Sequence, residues 1–112
     1  MADYGNGKKI KEIAFRTLVD LVDEETAEII LEEAYVNLPK LKNDLESALQ
    51  EKRLDDAIRF AHSIKGLFAT MGLIEDAELA RDCELKLREG ESDISLNKEK
   101  IFSIIDDFMT TS

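Results

Sequence analysis

The residues with the clearest chemical potential are His62, the single histidine among 112 residues, and the Lys65 and Gly66 that follow it. A neutral imidazole is a competent nucleophile. In a helix, the i+3 and i+4 spacings place Lys65 and Gly66 on the same surface as His62. Attack on a phosphoryl group would leave negative charge on its oxygens, which the Lys65 ammonium could offset. Gly66 costs about 1 kcal/mol in a helix interior relative to alanine, and close approach of another backbone is the usual reason for such a glycine.

An incidental surface histidine, or a partly buried and hydrogen-bonded one, is the competing interpretation. Three features argue against it: His62 lies off the apolar stripe of its helix, a lysine follows at i+3, and a helix-weakening glycine follows at i+4. No Gly-rich phosphate loop, kinase signature or Ser-His-Asp grouping at local spacing accompanies it. One histidine without a neighbouring cysteine makes a poor metal site. The chain is therefore predicted to carry a phosphoryl group without extracting one from ATP, as a non-enzymatic carrier.

The helix that must position His62 divides into two faces. Its core-facing stripe has spacings of four and three residues, and consists of Ala57, Ala61, Ile64, Phe68 and Met71. Beside His62, away from this stripe, lie Ile58 and Ala69. We predict that Ile58 forms part of an apolar docking patch for a partner, with Arg59 on its rim and Ala69 as a further contact.

Helical periodicity covers almost the whole chain, and no segment alternates strictly enough to predict a strand. The pattern predicts an all-α fold, an antiparallel up-and-down four-helix bundle with an additional short N-terminal helix across one end. Residues 1–8 are predicted to be disordered and residues 9–112 to form the bundle domain. The predicted helices span residues 9–21, 23–51, 55–71, 75–88 and 95–109.

Three residues mark predicted features of the helix ends and of the long helix. Asp55 is a plausible N-cap for the helix that carries His62. Pro39, inside the longest helix, predicts a kink near Asn37 because the apolar stripe continues across it. Gly72 fits the C-terminal position where a left-handed conformation is needed.

The composition excludes several classes of partner. Twenty-five acidic residues against 15 basic ones give a formal net charge of −10, which argues against nucleic acid and against an anionic membrane surface. No secretory signal and no run of 18 apolar residues is present. Cys83 is alone, so it forms no intramolecular disulfide and is expected to be buried in a reducing compartment. We expect a soluble, cytoplasmic monomer.

The segment His62-Ser63-Ile64-Lys65-Gly66, followed by Ala69 and Gly72, resembles the signature of histidine-containing phosphotransfer (HPt) domains, which reads His-x-(apolar)-Lys-Gly. The likeness extends over about residues 24–109. It includes small or apolar positions and a pair ending in glutamate, which here are Ala77, Ala80 and Cys83-Glu84. The sequence departs from the pattern at Leu67 and Phe68, where the family often has small residues, and at Asp76, where many members carry leucine.

The resemblance implies a phosphorelay intermediate. By that likeness His62 accepts a phosphoryl group from an aspartate of a response-regulator receiver domain and passes it to another receiver. Lys65 helps to hold the phosphoryl oxygens, and Gly66 leaves space for the partner's loop. The receiver supplies the magnesium ion, so no cofactor is expected in this chain. A hybrid histidine kinase is a further expected partner.

Two alternatives stay open. One is a helical interaction module that binds a receiver or histidine kinase without accepting phosphate. The other is the phosphoacceptor domain of a chemotaxis-type kinase, phosphorylated by an ATP-binding domain. The chain begins at Met1 and ends just after the last predicted helix. A free-standing protein is therefore the expected arrangement, with a domain cut from a longer kinase as the alternative.

Overall fold

The computed structural model describes residues 7–91 and 93–110, with side chains described from residue 12 onward. Within these ranges the chain forms five helices and no strand, so the all-α prediction is confirmed. The helices are α1 (Gly7–Val19), α2 (Glu24–Gln50), α3 (Leu54–Thr70), α4 (Ile74–Arg88) and α5 (Ser95–Met109).

The helix bounds follow the predicted pattern within one or two residues. α5 has the predicted bounds, whereas α1 begins and ends two residues earlier than predicted. Gly7 and Lys8, which the prediction placed in a disordered stretch, are therefore helical, because apolar periodicity marks only the part of a helix that packs. Residues 1–6 of that stretch lie outside the described residues.

The four longer helices form a closed bundle. α3 packs against α2 and α4, α5 packs against α4 and returns to α2, and α1 packs against α2 and α5. Short connections join helices that lie side by side, while the antiparallel up-and-down order stays a prediction. Small side chains let the helices approach closely, notably the fully buried Ala57, Ala61 and Ala80.

The predicted core stripe of α3 is confirmed, since Ala57, Ala61, Ile64, Phe68 and Met71 are all buried. Burial of an aliphatic or aromatic side chain stabilises the fold by about 1.5–3 kcal/mol. This stripe therefore fixes the rotation of α3 about its axis. Fixing that rotation determines which residues of α3 remain on the surface.

Cys83 of α4 belongs to the same core. Its side chain is fully buried and free of any disulfide, as predicted. Burial, together with the charge of Asp82, raises the pKa of the thiol to about 11. A protonated, solvent-excluded thiol is chemically inert in the folded protein.

The turn between α3 and α4 depends on Gly72, whose φ of +78° confirms the predicted left-handed position. The Leu73 amide donates to the Phe68 carbonyl at 2.9 Å and the Gly72 amide donates to the Ala69 carbonyl at 3.0 Å. A Cβ atom built on Gly72 would collide with the Thr17 side chain of α1. Gly72 is therefore required both for the turn and for the docking of α1 on it.

The predicted capping role of Asp55 is wrong. α3 begins at Leu54 with Arg53 at its N-cap position and no side-chain capping bond. The chain has already turned at Lys52, whose φ is 58°, so Asp55 falls inside the first turn of the helix. There its charge is still favourably placed relative to the helix dipole.

The long helix α2 is capped and continuous. Asp23 accepts a hydrogen bond from the Thr26 amide at 2.7 Å, and that bond holds the pKa of the carboxyl below its usual range. α2 runs through Pro39 without a break, while the kink near Asn37 stays a prediction. Among the described residues, none of the helices combines the length and apolar composition that crossing a membrane requires.

Candidate functional site

α3 presents His62 on the surface, with 58% of its side chain exposed. The neighbouring residues Ala61 and Ile64 are buried in the core, so the rotation of α3 turns the imidazole outward. Its Nδ1 lies 3.2 Å from Oε1 of Glu84 on α4. Within residues 7–91 and 93–110, no hydrogen bond reaches Nε2, the nitrogen on the other side of the ring.

Glu84 is the buried centre of the site. Its side chain is only 8% exposed, and its Oε1 also lies 3.5 Å from Nζ of Lys65. Its other oxygen, Oε2, accepts hydrogen bonds from Nε and Nη2 of Arg88 at 3.1 and 2.8 Å. One carboxylate thus joins an imidazole and two cations from two helices.

The charge of Glu84 is set by these partners. Burial raises the pKa of the carboxyl, but the hydrogen bonds from Arg88 and His62 and the charge of Lys65 outweigh it, so the net shift is downward. Glu84 is therefore ionised at neutral pH. Because a carboxylate only accepts hydrogen bonds, the ring hydrogen of a neutral His62 belongs on Nδ1, and Nε2 keeps its lone pair.

Basic side chains surround the imidazole on a protein whose net charge is −10. Lys65 and Arg88 are drawn beside His62 by the carboxylate that they share with it. Arg59 is 69% exposed and pairs with Asp56 at 2.9 Å. Each of these cations is thus paired with a carboxylate of the protein, and their exposed parts remain available to an anionic ligand or an acidic partner surface.

Gly66 lies one turn beyond His62 and leaves open space. A Cβ built on this residue would meet nothing within 4 Å apart from its own helix backbone and chain neighbours. The protein's own packing therefore does not require a glycine here, in contrast to Gly72. Glycine destabilises a helix interior, and no described contact within the protein explains its presence here.

The predicted partner contacts divide into two groups. Ile58, Arg59 and His62 line one shallow depression together with Asp55 and Arg88. Ile58 is only half-exposed because it also packs against the core, so the apolar part of the depression is small. Ala69 is exposed but lies two turns along α3 from His62, about 10 Å away along the helix axis.

The prediction from sequence missed Arg88 and the role of Glu84. Their i, i+4 spacing on one helix was a readable signal for an ion pair. Their link to His62 was not readable, because it joins residues 22 apart through the register of α3 against α4. No group of three or more His, Cys, Asp or Glu side chains in the described part of the chain could hold a metal ion.

Comparison with known proteins gives a match at the level of the family. The family model described as the Hpt domain matches residues 29–106. The match contains all of α3 and α4, and with them His62, Lys65, Gly66 and Glu84. No curated protein and no solved structure matches the chain.

Proposed function

Because this chain belongs to the Hpt domain family, whose members transfer phosphoryl groups in two-component signalling, we propose that His62 is its phosphoacceptor. In this proposal His62 takes a phosphoryl group from an aspartate of one response-regulator receiver domain and passes it to another. The observation that carries the proposal is the bond between Nδ1 and Glu84. It leaves Nε2 of the exposed His62 side chain with its lone pair.

The transfer requires one bond to form and one to break. The Nε2 lone pair attacks the phosphorus of the aspartyl phosphate, a nitrogen–phosphorus bond forms, and the aspartate carboxylate leaves with the electron pair of the broken bond. Positive charge develops on the imidazole ring, and the Nδ1 hydrogen carries part of it towards Glu84. The ionised Glu84 carboxylate stabilises that charge. Attack by a second receiver's aspartate reverses the step and frees His62.

Lys65 is proposed to hold the phosphoryl oxygens. Its side chain is 29% exposed, and its Nζ lies 3.5 Å from the carboxylate that also contacts His62, so the ammonium is available on the imidazole side of the helix. Transfer spreads negative charge over the phosphoryl oxygens, and a cation positioned there lowers the barrier. Arg88, whose side chain is 56% exposed, adds a second cation at the same place.

The partner surface is proposed to surround the imidazole. Ile58 supplies the apolar part, Arg59 the charged rim, and Ala69 a further contact along α3. The open space beside Gly66 admits the loop of an approaching receiver, and the exposed parts of the cations beside the imidazole favour an acidic receiver pocket. A histidine kinase that carries such a receiver would dock in the same way.

The finer features of the proposal follow from the site. All of its groups lie on α3 and α4 of one chain, so a monomer suffices. The phosphoryl group comes from a partner protein and not from ATP, so the protein acts as a carrier. Receiver partners would place it in the cytoplasm.

The proposal is tested with a panel of receiver domains charged with acetyl phosphate, followed by mass-spectrometric mapping of the phosphoryl group. We expect an acid-labile, alkali-stable label on His62. It should be lost in His62→Gln and kept in the matched control Ser63→Ala, which changes the next exposed residue. Circular dichroism should remain native in both variants.

Other outcomes identify the alternatives. Equal binding of receivers by His62→Gln, with no label on the unaltered protein, would mean an interaction module. Labelling only by an ATP-binding kinase domain would mean a phosphoacceptor domain of the chemotaxis type. Undiminished labelling of His62→Gln would show that another residue accepts the phosphoryl group.

A further inference from the structure

Asp76, in the first turn of α4, is buried in an unusual way for a carboxyl group. It is only 5% exposed, and its Oδ2 is a fully buried oxygen without a hydrogen-bond partner among the described residues. Buried polar atoms are nearly always hydrogen-bonded, and an unsatisfied one costs about 1–3 kcal/mol. The site proposed above makes no use of Asp76.

Among the described residues, no cationic side chain pairs with Asp76, and the helix dipole at the start of α4 is the one favourable field on its carboxyl. The preceding Leu73 and the following Ala77 are both buried apolar residues. α4 packs against α3 and α5. Polar side chains of those helices that bond to α4 reach other residues than Asp76, because His62 and Lys65 contact Glu84 and Asn97 bonds Asp82 and Lys86.

The one charge that acts on Asp76 repels it. Burial raises the pKa of the carboxyl from 3.8 to about 6, and the negative charge of the adjacent Glu75 adds to the rise. Burial is the larger of these two causes. The carboxyl therefore changes from neutral to charged within a range of pH in which well-paired carboxylates are fully ionised.

Asp76 sits at a structural junction. It follows the tight turn of residues 71–73, where Gly72 has a left-handed backbone and touches Thr17 of α1. A buried charge at this position destabilises the first turn of α4, which the turn of residues 71–73 joins to α3. Loosening of the turn lowers the desolvation cost of the ionised carboxylate, because water can then reach it.

We propose that Asp76 is a proton-dependent switch for the turn between α3 and α4, which holds the first turn of α4 in place when protonated and loosens it when ionised. The proposal concerns conformational stability and is independent of phosphoryl transfer at His62. It gives the turn a response to pH that the other buried carboxyl of α4, Glu84, does not share.

The sign of the effect follows from linkage. The folded pKa is raised, so the stabilising contribution is complete below about pH 3.8 and is lost as the pH rises through about 6. Two pKa values of 3.8 and about 6 imply that the unfolding equilibrium constant rises about fourfold between pH 5.5 and 7.5 through Asp76 alone. In the same window the carboxyls of Asp23, Asp82 and Glu84, whose pKa values are lowered, stay ionised.

Urea unfolding of the full chain at pH 5.5 and 7.5 tests the proposal. Relative to the unaltered protein, Asp76→Asn should show an about fourfold smaller increase of the unfolding constant between the two pH values. The control Glu78→Gln removes an exposed acid from the same helix and should respond to pH as the unaltered protein does. An Asp76→Asn protein with the unaltered pH response would overturn the proposal.

Two further measurements keep the test decisive if Asp76→Asn folds poorly. A ¹³C NMR titration of the unaltered protein should give a carboxyl midpoint near 6 for Asp76, and a midpoint near 4 would refute the switch. Hydrogen exchange, corrected for its intrinsic pH dependence, should accelerate about fourfold at the amides of residues 73–77 at pH 7.5. Amides of residues 73–77 that exchange no faster than the amides requiring global unfolding would show that the turn does not open locally, and would refute the switch.

Discussion

A buried carboxyl lies at each end of the α3–α4 pair, and the two have pKa values shifted in opposite directions. At the site end, Glu84 is 6% exposed and contacts His62, Lys65 and Arg88. At the turn end, about two helical turns away, Asp76 is 5% exposed and has a buried oxygen with no partner in the described chain. The pKa of Glu84 is lowered and that of Asp76 is raised to about 6. Partners, and not depth, therefore decide the charge of a buried carboxyl here.

The glycines of α3 and its following turn differ in the same regional way. Gly72 at the turn end is required by its backbone conformation and by contact with Thr17. Gly66 at the site end has open space where its side chain would be. The turn end is thus built for the fold, whereas the site end contains features that the fold alone does not explain.

Gly72→Ala is the strongest way to disturb the turn end. A side chain at φ +78° costs about 1–2 kcal/mol, and overpacking against Thr17 adds about 1–3 kcal/mol. We expect the free energy of unfolding to fall by about 2–5 kcal/mol in urea titrations. The matched control is Gly90→Ala, at φ +80° but with open space for a Cβ, which should lose only the conformational part. Equal losses in both variants would show that the contact with α1 is unimportant.

Glu84→Gln tests whether ionic partners keep the site end stable. The substitution preserves shape and removes the charge that His62, Lys65 and Arg88 share. We expect the free energy of unfolding at pH 7.5 to fall by about 1–2 kcal/mol, since hydrogen bonds to charged groups are the stronger kind, and phosphoryl transfer to slow.

The loss of stability in Glu84→Gln should depend on pH. Because the folded pKa of Glu84 is lowered, its contribution is present above about pH 4.5 and is lost as the pH falls through the folded pKa. The difference from the unaltered protein should therefore shrink in acid, measured by urea unfolding at pH 3.5 and 7.5. A difference that stays constant would mean that packing, and not charge, makes Glu84 important.

Gly66→Ala should produce the smallest change in stability and separate fold from function. Alanine adds up to about 1 kcal/mol to the free energy of unfolding, because it favours the helix and no atom obstructs its Cβ. Phosphoryl transfer from a receiver should nevertheless slow, because the added methyl group occupies space kept for the partner. A variant that is both stabilised and fully active in the labelling assay would remove the partner explanation for this glycine.

The sequence predicted the frame of the molecule well because the relevant signals are local. Helical periodicity located five helices and the buried stripe of α3, and the same rotation placed His62, Lys65 and Gly66 on the outer face. Gly72 was recognisable because few residues other than glycine adopt a left-handed backbone at a helix end. Each of these inferences depends on residues within about two turns of one another.

The features that escaped prediction depend on contacts between helices. Glu84 and Arg88 form a readable pair on α4, but only the register of α3 against α4 brings His62 to them. The burial of Asp76 escaped for the same reason, since a charged residue in a first helical turn is normally solvated. Asp55 failed as a cap because the chain had already turned at Lys52, which its local sequence does not indicate.

Because Cys83 is buried, the reactivity of its thiol measures transient opening of the folded protein. Its thiol adjoins Glu84 in sequence, is fully enclosed, and has its pKa raised to about 11, so alkylating reagents reach it only through transient exposure. Since the chain contains no second cysteine, the alkylation rate follows a single position on α4 without any engineered label. The rate at which one alkylating reagent modifies Cys83 therefore measures how often this part of α4 is transiently exposed.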